Sequence, residues 1–105
     1  MQIQVSTDHN MNGSENVNDH VRGVVEHAAS HFSSHITRVE VHLADENGAK
    51  TGVDDKRCMM EARVENRRPI AVTHHAATTN EAISGCAAKL KRALSHEFER
   101  LREKH

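Results

Sequence analysis

Four short segments of the chain alternate between apolar and polar side chains, and this alternation allows only a sheet with one buried face. In Gln2 to Ser6, Ile3 and Val5 point to one side, and residues 36–43, 57–64 and 70–73 repeat the pattern. A period of two residues is the signature of a half-buried strand. The side chains that we expect to point inward from the last three strands are Val39, Val41, Leu43, Cys58, Met60, Ala62, Val64, Ile70 and Val72. Because only one face is apolar, the helices should all cover that face.

Two other segments have helical periodicity. Ser14 is a candidate N-cap, and the apolar residues that follow at helical spacing predict a helix from about Glu15 to Phe32. Thr78 and Glu81 have the spacing of a capping box at the start of a second helix. The apolar stripe of that helix comprises Ile83, Cys86, Ala87, Leu90, Leu94, Phe98 and Leu101. The pattern predicts a helix of about 25 residues, whose last turns project from the body or lie along a partner.

The predicted order of elements is β-α-β-β-β-α. Short turns join the last three strands, which is typical of an antiparallel meander. We therefore predict an α+β fold, an α/β two-layer sandwich in which two helices lie on one face of a four-stranded sheet. A length of 105 residues fits a single domain, residues 1–105.

The composition gives further limits. Formal net charge is −1, with 14 basic and 15 acidic residues, 10 histidines and 2 phenylalanines as the only aromatic residues besides histidine. Cys58 and Cys86 have no metal-type spacing, so we expect buried, reduced thiols. The N-terminus lacks the pattern of a signal peptide, and no apolar run approaches the ~20 residues of a membrane span. We expect a cytoplasmic protein with no membrane partner.

The second predicted helix carries a row of positive charge. At 100° per residue, Lys89, Arg92, His96 and Arg100 fall on one line beside the apolar stripe, and Lys91 lies elsewhere on the same helix. Cations about one turn apart match a sugar-phosphate backbone. A solvated helix face is the alternative, because Glu97, Glu99 and Glu103 belong to the same helix.

The first predicted helix carries a row of histidines. His20, His27 and His31 align on one flank of its apolar face. If the two helices lie side by side, one flank of each lines a common basic groove, which becomes more positive in mild acid. Ordinary surface histidines are the alternative. His27 and His31 could also hold a metal, but no third ligand is identifiable, so we predict no metal site.

The remaining patterns indicate structure rather than catalysis. Arg38, Arg57 and Arg63 alternate with Glu40 and Glu61 on the polar face of the sheet, which predicts cross-strand ion pairs. The chain has no Gly-rich phosphate loop, HExxH or GxSxG motif. We predict a protein that is not an enzyme and has no cofactor and no small-molecule substrate.

Short motifs at both ends of the chain resemble a known family. They are the opening strand Met1-Gln2-Ile3-Gln4-Val5, the entry Glu81-Ala82-Ile83 into the last helix and its continuation Lys89-Leu90-Lys91-Arg92-Ala93-Leu94. With the length and the order of elements, they are similar to the family of ribosome hibernation-promoting factor, ribosome-associated inhibitor (protein Y) and sigma-54 modulation protein.

The resemblance implies a translation inhibitor that binds the small ribosomal subunit in its mRNA and tRNA channel under stress or in stationary phase. The long basic helix would face ribosomal RNA through Lys89, Arg92 and Arg100, while His96 stands where the family tends to have lysine. The chain resembles the short form, without the C-terminal dimerisation domain. This implies a protein that is monomeric off the ribosome.

The sequence departs from the family pattern at two places. The Asp-x-Tyr that usually precedes the Ala-Ile pair is replaced by Thr78-Thr79-Asn80, and some later basic positions are Glu97 and Phe98. These departures predict weaker or differently regulated binding. They also motivate the alternative of a non-ribosomal protein- or metal-binding module on the same fold.

Overall fold

The computed structural model describes residues 1–8, 15–46 and 55–103 of the chain, without the side chains of residues 15–16 and 101–103. The elements, in chain order, are β1 (Gln2–Thr7), α1 (Glu15–Ala28), a 3₁₀ helix (Ser30–His35), β2 (Ile36–Asp45), β3 (Lys56–Val64), β4 (Ile70–Ala76) and α2 (Thr79–Glu103). The predicted Ser14 cap lies outside the described residues. The predicted α+β class and order of elements are confirmed.

One mixed sheet, in the order β1-β2-β3-β4, forms one layer of the fold. β1 runs parallel to β2, whereas β2, β3 and β4 form the predicted antiparallel meander. The residues predicted to point inward from β2 and β3 are all buried, and Ile70 and Val72 pack against them from β4. The alternation therefore identified the covered face correctly.

The helical layer seals this face. Val21 and Val25 of α1, and Ile83, Leu90 and Leu94 of α2, are fully buried against the sheet. Val21 and Val25 are β-branched and have modest helix propensity, so packing is the main support of α1. At the start of α2, the Glu81 amide donates to Thr78 Oγ1 at 3.1 Å, as in the predicted cap.

The first helix is shorter than predicted. α1 ends at Ala28, and the chain continues as the 3₁₀ helix, in which the Phe32 amide donates to the Ala29 carbonyl at 2.9 Å. Serines at three of these six positions favour local hydrogen bonds over an α-helix, and Ser33 Oγ donates to the Ser30 carbonyl at 3.3 Å. The tighter turn brings Phe32 onto Phe98 of α2, with ring centroids 4.9 Å apart. His31 therefore does not belong to α1.

The predicted cysteine environment agrees with the structure. Cys58 of β3 and Cys86 of α2 are buried, free thiols that meet in the core. The hydrogen bond with Cys86 and then burial raise the pKa of the Cys58 thiol. Since the thiolate is the reactive form, Cys58 should be unreactive while the protein is folded.

One partly buried group of charges holds the far end of β2 and β3 together. Lys56 Nζ lies 3.2 Å from Asp45 Oδ2 and 3.1 Å from Asp55 Oδ1. Hydrogen bonds from Asp55 and Asp45 raise the pKa of Lys56 above its usual 10.5. The cation therefore contributes stability that is complete below pH 10.5 and is lost as the pH rises through the higher folded-state value.

We expect Lys56→Met to lower the urea midpoint of unfolding at about pH 8, because two buried carboxylates lose this cation. The difference from wild type should shrink at a second, strongly alkaline pH above the raised folded-state pKa, where wild type also loses the charge. Urea denaturation of both proteins at the two pH values measures the effect. If the urea midpoints of the two proteins differ by the same amount at both pH values, the stabilising role of the Lys56 charge is contradicted.

Candidate RNA-binding surface

The open face of the sheet holds arginines whose charge is already compensated. Glu40 Oε2 accepts from Arg38 and from Arg63, each at 3.4 Å, and Arg63 also lies 3.5 Å from Glu61. Arg57 Nε lies 3.1 Å from Glu46 Oε1 rather than against Glu61. Of the predicted cross-strand ion pairs, Arg63–Glu40 is present, whereas Arg38–Glu40 and Arg63–Glu61 lie within single strands. This face is therefore a weak candidate for binding phosphate.

The helical layer carries basic side chains on its outward side. Arg92 and His96 are exposed on α2, and Lys91 is exposed on the flank that faces α1. The apolar stripe determines this orientation: Leu90 and Leu94 are fully buried, so residues about 100–160° away from them must lie outside. The outward side of α2 is the part of the candidate surface with the most freely placed positive charge.

The other two members of the predicted row have protein partners. Lys89 Nζ donates to the Thr73 carbonyl of β4 at 2.8 Å, so it secures α2 to the sheet. Arg100 lies 3.6 Å from Glu97, which also accepts from Arg67 at 3.4 Å. The row is continuous along the helix, but Lys89 is half-buried and hydrogen-bonded, and Arg100, although exposed, shares Glu97 with Arg67.

The predicted common groove exists between α1 and α2. It has a volume of about 510 Å³ and brings His20 and His27 of α1 together with Lys91 of α2. Asp19 and Ser84 also line it. His31 lies beside the neighbouring hollow with Phe32 and Phe98, rather than in this groove. We call the groove, with these lining residues, the interhelical groove.

A glycine that the sequence did not single out lies in the interhelical groove. Gly23 lies inside α1, where glycine costs about 1 kcal/mol relative to alanine. A Cβ built there would meet no packed atom of the described chain within 4 Å. Close packing of the protein therefore does not require glycine at this position.

A second hollow lies at the β3–β4 turn. Arg67, Arg68 and Arg100 line it together with Glu97, in a volume of about 450 Å³. Two of these arginines come from the turn, which only the fold places beside the end of α2. Glu97 lies between two of the three cations, so this hollow is less positive than its arginines imply.

In the part of the chain that the structure describes, no three histidine, cysteine or acidic side chains form a metal-binding group. Within the same residues, no helix has the length and apolar character needed to cross a membrane.

Comparison with known proteins assigns the chain to a family. The model of the family described as Sigma 54 modulation protein / S30EA ribosomal protein matches residues 3–102. No curated protein matches the chain significantly in sequence.

Two solved structures have the same fold at low sequence identity. The N-terminal domain of Thermus thermophilus protein Y is 14% identical, with a TM-score of 0.69, over 88% of this chain and 93% of that one. A ribosomal subunit interface protein from Coxiella burnetii is 12% identical, with a TM-score of 0.69, over 94% of this chain and 99% of that one. Because the family match spans nearly all of the sequence, the chain belongs to the Sigma 54 modulation protein / S30EA ribosomal protein family.

Proposed function

We propose that this protein is a cytoplasmic, ribosome-associated factor that binds the small subunit in the mRNA and tRNA channel and suppresses translation under stress or in stationary phase. Family membership supports the association with ribosomes. The observation that supports binding to the small subunit is that basic side chains are ion-paired on one face of the molecule and exposed on the other. Arginines of the open sheet face are held in ion pairs, whereas Lys91, Arg92 and His96 are exposed on the helical layer.

Local charge matters more here than the net charge of −1. Cations on the helical layer can replace the counterions of an RNA backbone, which gives binding that weakens steeply with salt. Glu97 and Glu99 lie on the last turns of the same helix, so the RNA-facing surface is centred on the middle of α2 and on the interhelical groove.

Large aromatic side chains contribute little to this surface. Phe32 and Phe98 are stacked on each other with an interplanar angle of 9°. The chain has no tyrosine or tryptophan. Recognition should therefore rest mainly on charge and on the shape of folded RNA.

Co-sedimentation with purified small subunits through a sucrose gradient tests the proposal. We expect the protein to migrate with the subunit at low salt and to be released as the salt concentration rises. Addition of mRNA and initiator tRNA should compete with it if they share a channel. A protein that stays at the top of the gradient at every salt concentration would overturn the proposal.

The histidines of the interhelical groove should make this binding pH-dependent. A free imidazole gains its proton near pH 6.5, and a protonated ring attracts phosphate. Asp19 and Lys91 face the same groove with opposite charges. We expect RNA affinity to rise by about tenfold between pH 8 and pH 5.5, because protonated imidazoles on the helical layer would add to the charge that faces the RNA.

His20→Gln with His27→Gln should make this pH profile shallower. Titration of a fluorescent ribosomal RNA fragment at several pH values measures both proteins. A wild-type affinity that is constant across this range would show that the histidines take no part.

A further inference from the structure

The interhelical groove is larger and less polar than a track for phosphates requires. Its apolar lining, called the floor below, consists of Gly23, Val24 and Ala28 of α1 and of Ala87 and Ala88 of α2. Phosphate oxygens gain nothing from such a floor, since they need donors or cations. A flat group with apolar faces and polar edges suits it better.

Gly23 gives a second, independent reason to expect an occupant. Glycine weakens the interior of α1, yet a side chain at this position would meet open space rather than the rest of the protein. The packing of the fold therefore leaves the glycine unexplained. An occupant of the groove explains it, because a side chain at residue 23 would extend into the volume that the occupant needs.

The rim of the groove indicates the chemistry of that occupant. His20 and His27 offer imidazole rings, which can stack on bases as other aromatic rings do. Both phenylalanines are already stacked on each other, so these imidazoles are the flat rings available at this site. Lys91 can neutralise a neighbouring phosphate, while Asp19 and Ser84 offer hydrogen-bonding groups to the edge of a base.

We propose that the interhelical groove holds one unpaired base of a single-stranded RNA segment, with the adjoining phosphate at Lys91. This inference rests on the proposed RNA-binding function and adds a base-recognition site to it. The volume of about 510 Å³ accommodates a nucleoside. A protein that binds RNA mostly through charge would then also discriminate unpaired from paired nucleotides.

Fluorescence anisotropy with two short oligoribonucleotides tests the proposal. One has a mixed, unstructured sequence, and the other has the same backbone with abasic residues at its centre. Stacking of one base corresponds to roughly a tenfold gain in affinity. We expect wild type to prefer the base-containing strand by about this factor.

Variants at residue 23 identify the groove as the origin of this preference. Gly23→Leu should remove it and leave the weaker, salt-sensitive binding of both strands. Ala71→Leu adds the same side chain to the open face of the sheet and should behave as wild type. Thermal unfolding of each variant verifies the fold, and Gly23→Leu should be no less stable than wild type.

Two results would overturn the base site. They are equal affinity of wild type for the two strands, or a preference that survives in Gly23→Leu. Shifts of the His20 and His27 ring resonances caused by a Glu-rich amphipathic peptide, and not by the oligonucleotide, would assign the groove to a protein partner instead. If wild type co-sediments with small subunits but binds the two strands equally, the proposed function stands and only the base site fails.

Discussion

Lys91→Glu combined with Arg92→Glu should weaken binding to the small subunit by at least about 100-fold at moderate salt. Both side chains are exposed on α2, and neither belongs to the buried stripe. The double change removes two phosphate contacts and places two negative charges where the RNA backbone would lie. We chose Lys91 rather than Lys89 because the Lys89 ammonium donates to the Thr73 carbonyl, so changing it would also disturb the packing of α2 on β4.

A matched control has the same change of net charge on the opposite side of the molecule. Arg57→Glu with Arg63→Glu alters the open sheet face, where the side chains are 41% and 49% exposed. Exposed ion pairs contribute about 0–1 kcal/mol each, so the control should stay folded. We expect it to co-sediment with small subunits almost as wild type does. If both double variants lose binding equally, net charge rather than the helical layer governs the association.

Gly85→Ala should destabilise the protein by about 1–2 kcal/mol, although alanine is the better helix former. Gly85 of α2 lies against the ring of His74, which points inward from β4. A Cβ at residue 85 would lie 2.8 Å from His74 Cγ and closer still to other atoms of the ring. The ring must therefore move, or α2 must rise from the sheet.

The effect of Gly85→Ala on stability should have the opposite sign once the His74 ring is absent. In a His74→Ala background, Gly85→Ala gains helix propensity without a clash and should stabilise the protein by about 1 kcal/mol. Urea unfolding of the four proteins in this cycle measures the coupling. An identical effect of Gly85→Ala in both backgrounds would show that His74 does not set the requirement for glycine.

The sequence predicted the sheet well because its pattern is local and repeated. Val39, Val41 and Met60 are buried as the alternation indicates. The same pattern missed the end of β4, which runs to Ala76 rather than to Thr73. His74 occupies an inward position without being apolar, and pairing with β3 as far as Lys56 extends the strand. Such an extension depends on a partner strand and is not visible in the segment itself.

The predicted end of α1 was wrong for a different reason. Phe32 keeps the helical spacing from Ala28, so periodicity alone continues the helix. Ser30, Ser33 and Ser34 favour a tighter turn, and the stacking of Phe32 on Phe98 stabilises that turn. Propensity and a contact with a distant residue together outweighed the pattern.

The candidate surface was predicted in part. Alignment on a helix indicated that His20 and His27 could share a groove with the last helix, and the structure brings them together with Lys91. The sequence pattern could not show that Lys89 donates to a carbonyl of β4, or that Arg67 shares Glu97 with Arg100. Those contacts depend on the distance between elements that lie far apart in the sequence. The RNA-binding roles of these residues remain predictions.

The position of β1 has a consequence for the order of folding. β1 lies at an edge of the sheet and pairs with a single neighbour, with Gln2 opposite Arg38. β2, β3 and β4 follow one another as antiparallel neighbours, so their contacts close shorter loops. The meander and α2 can therefore assemble first, and the amino-terminal strand joins a nearly complete domain. During synthesis, β1 would then leave the ribosome before the meander and still reach its place in the sheet after it.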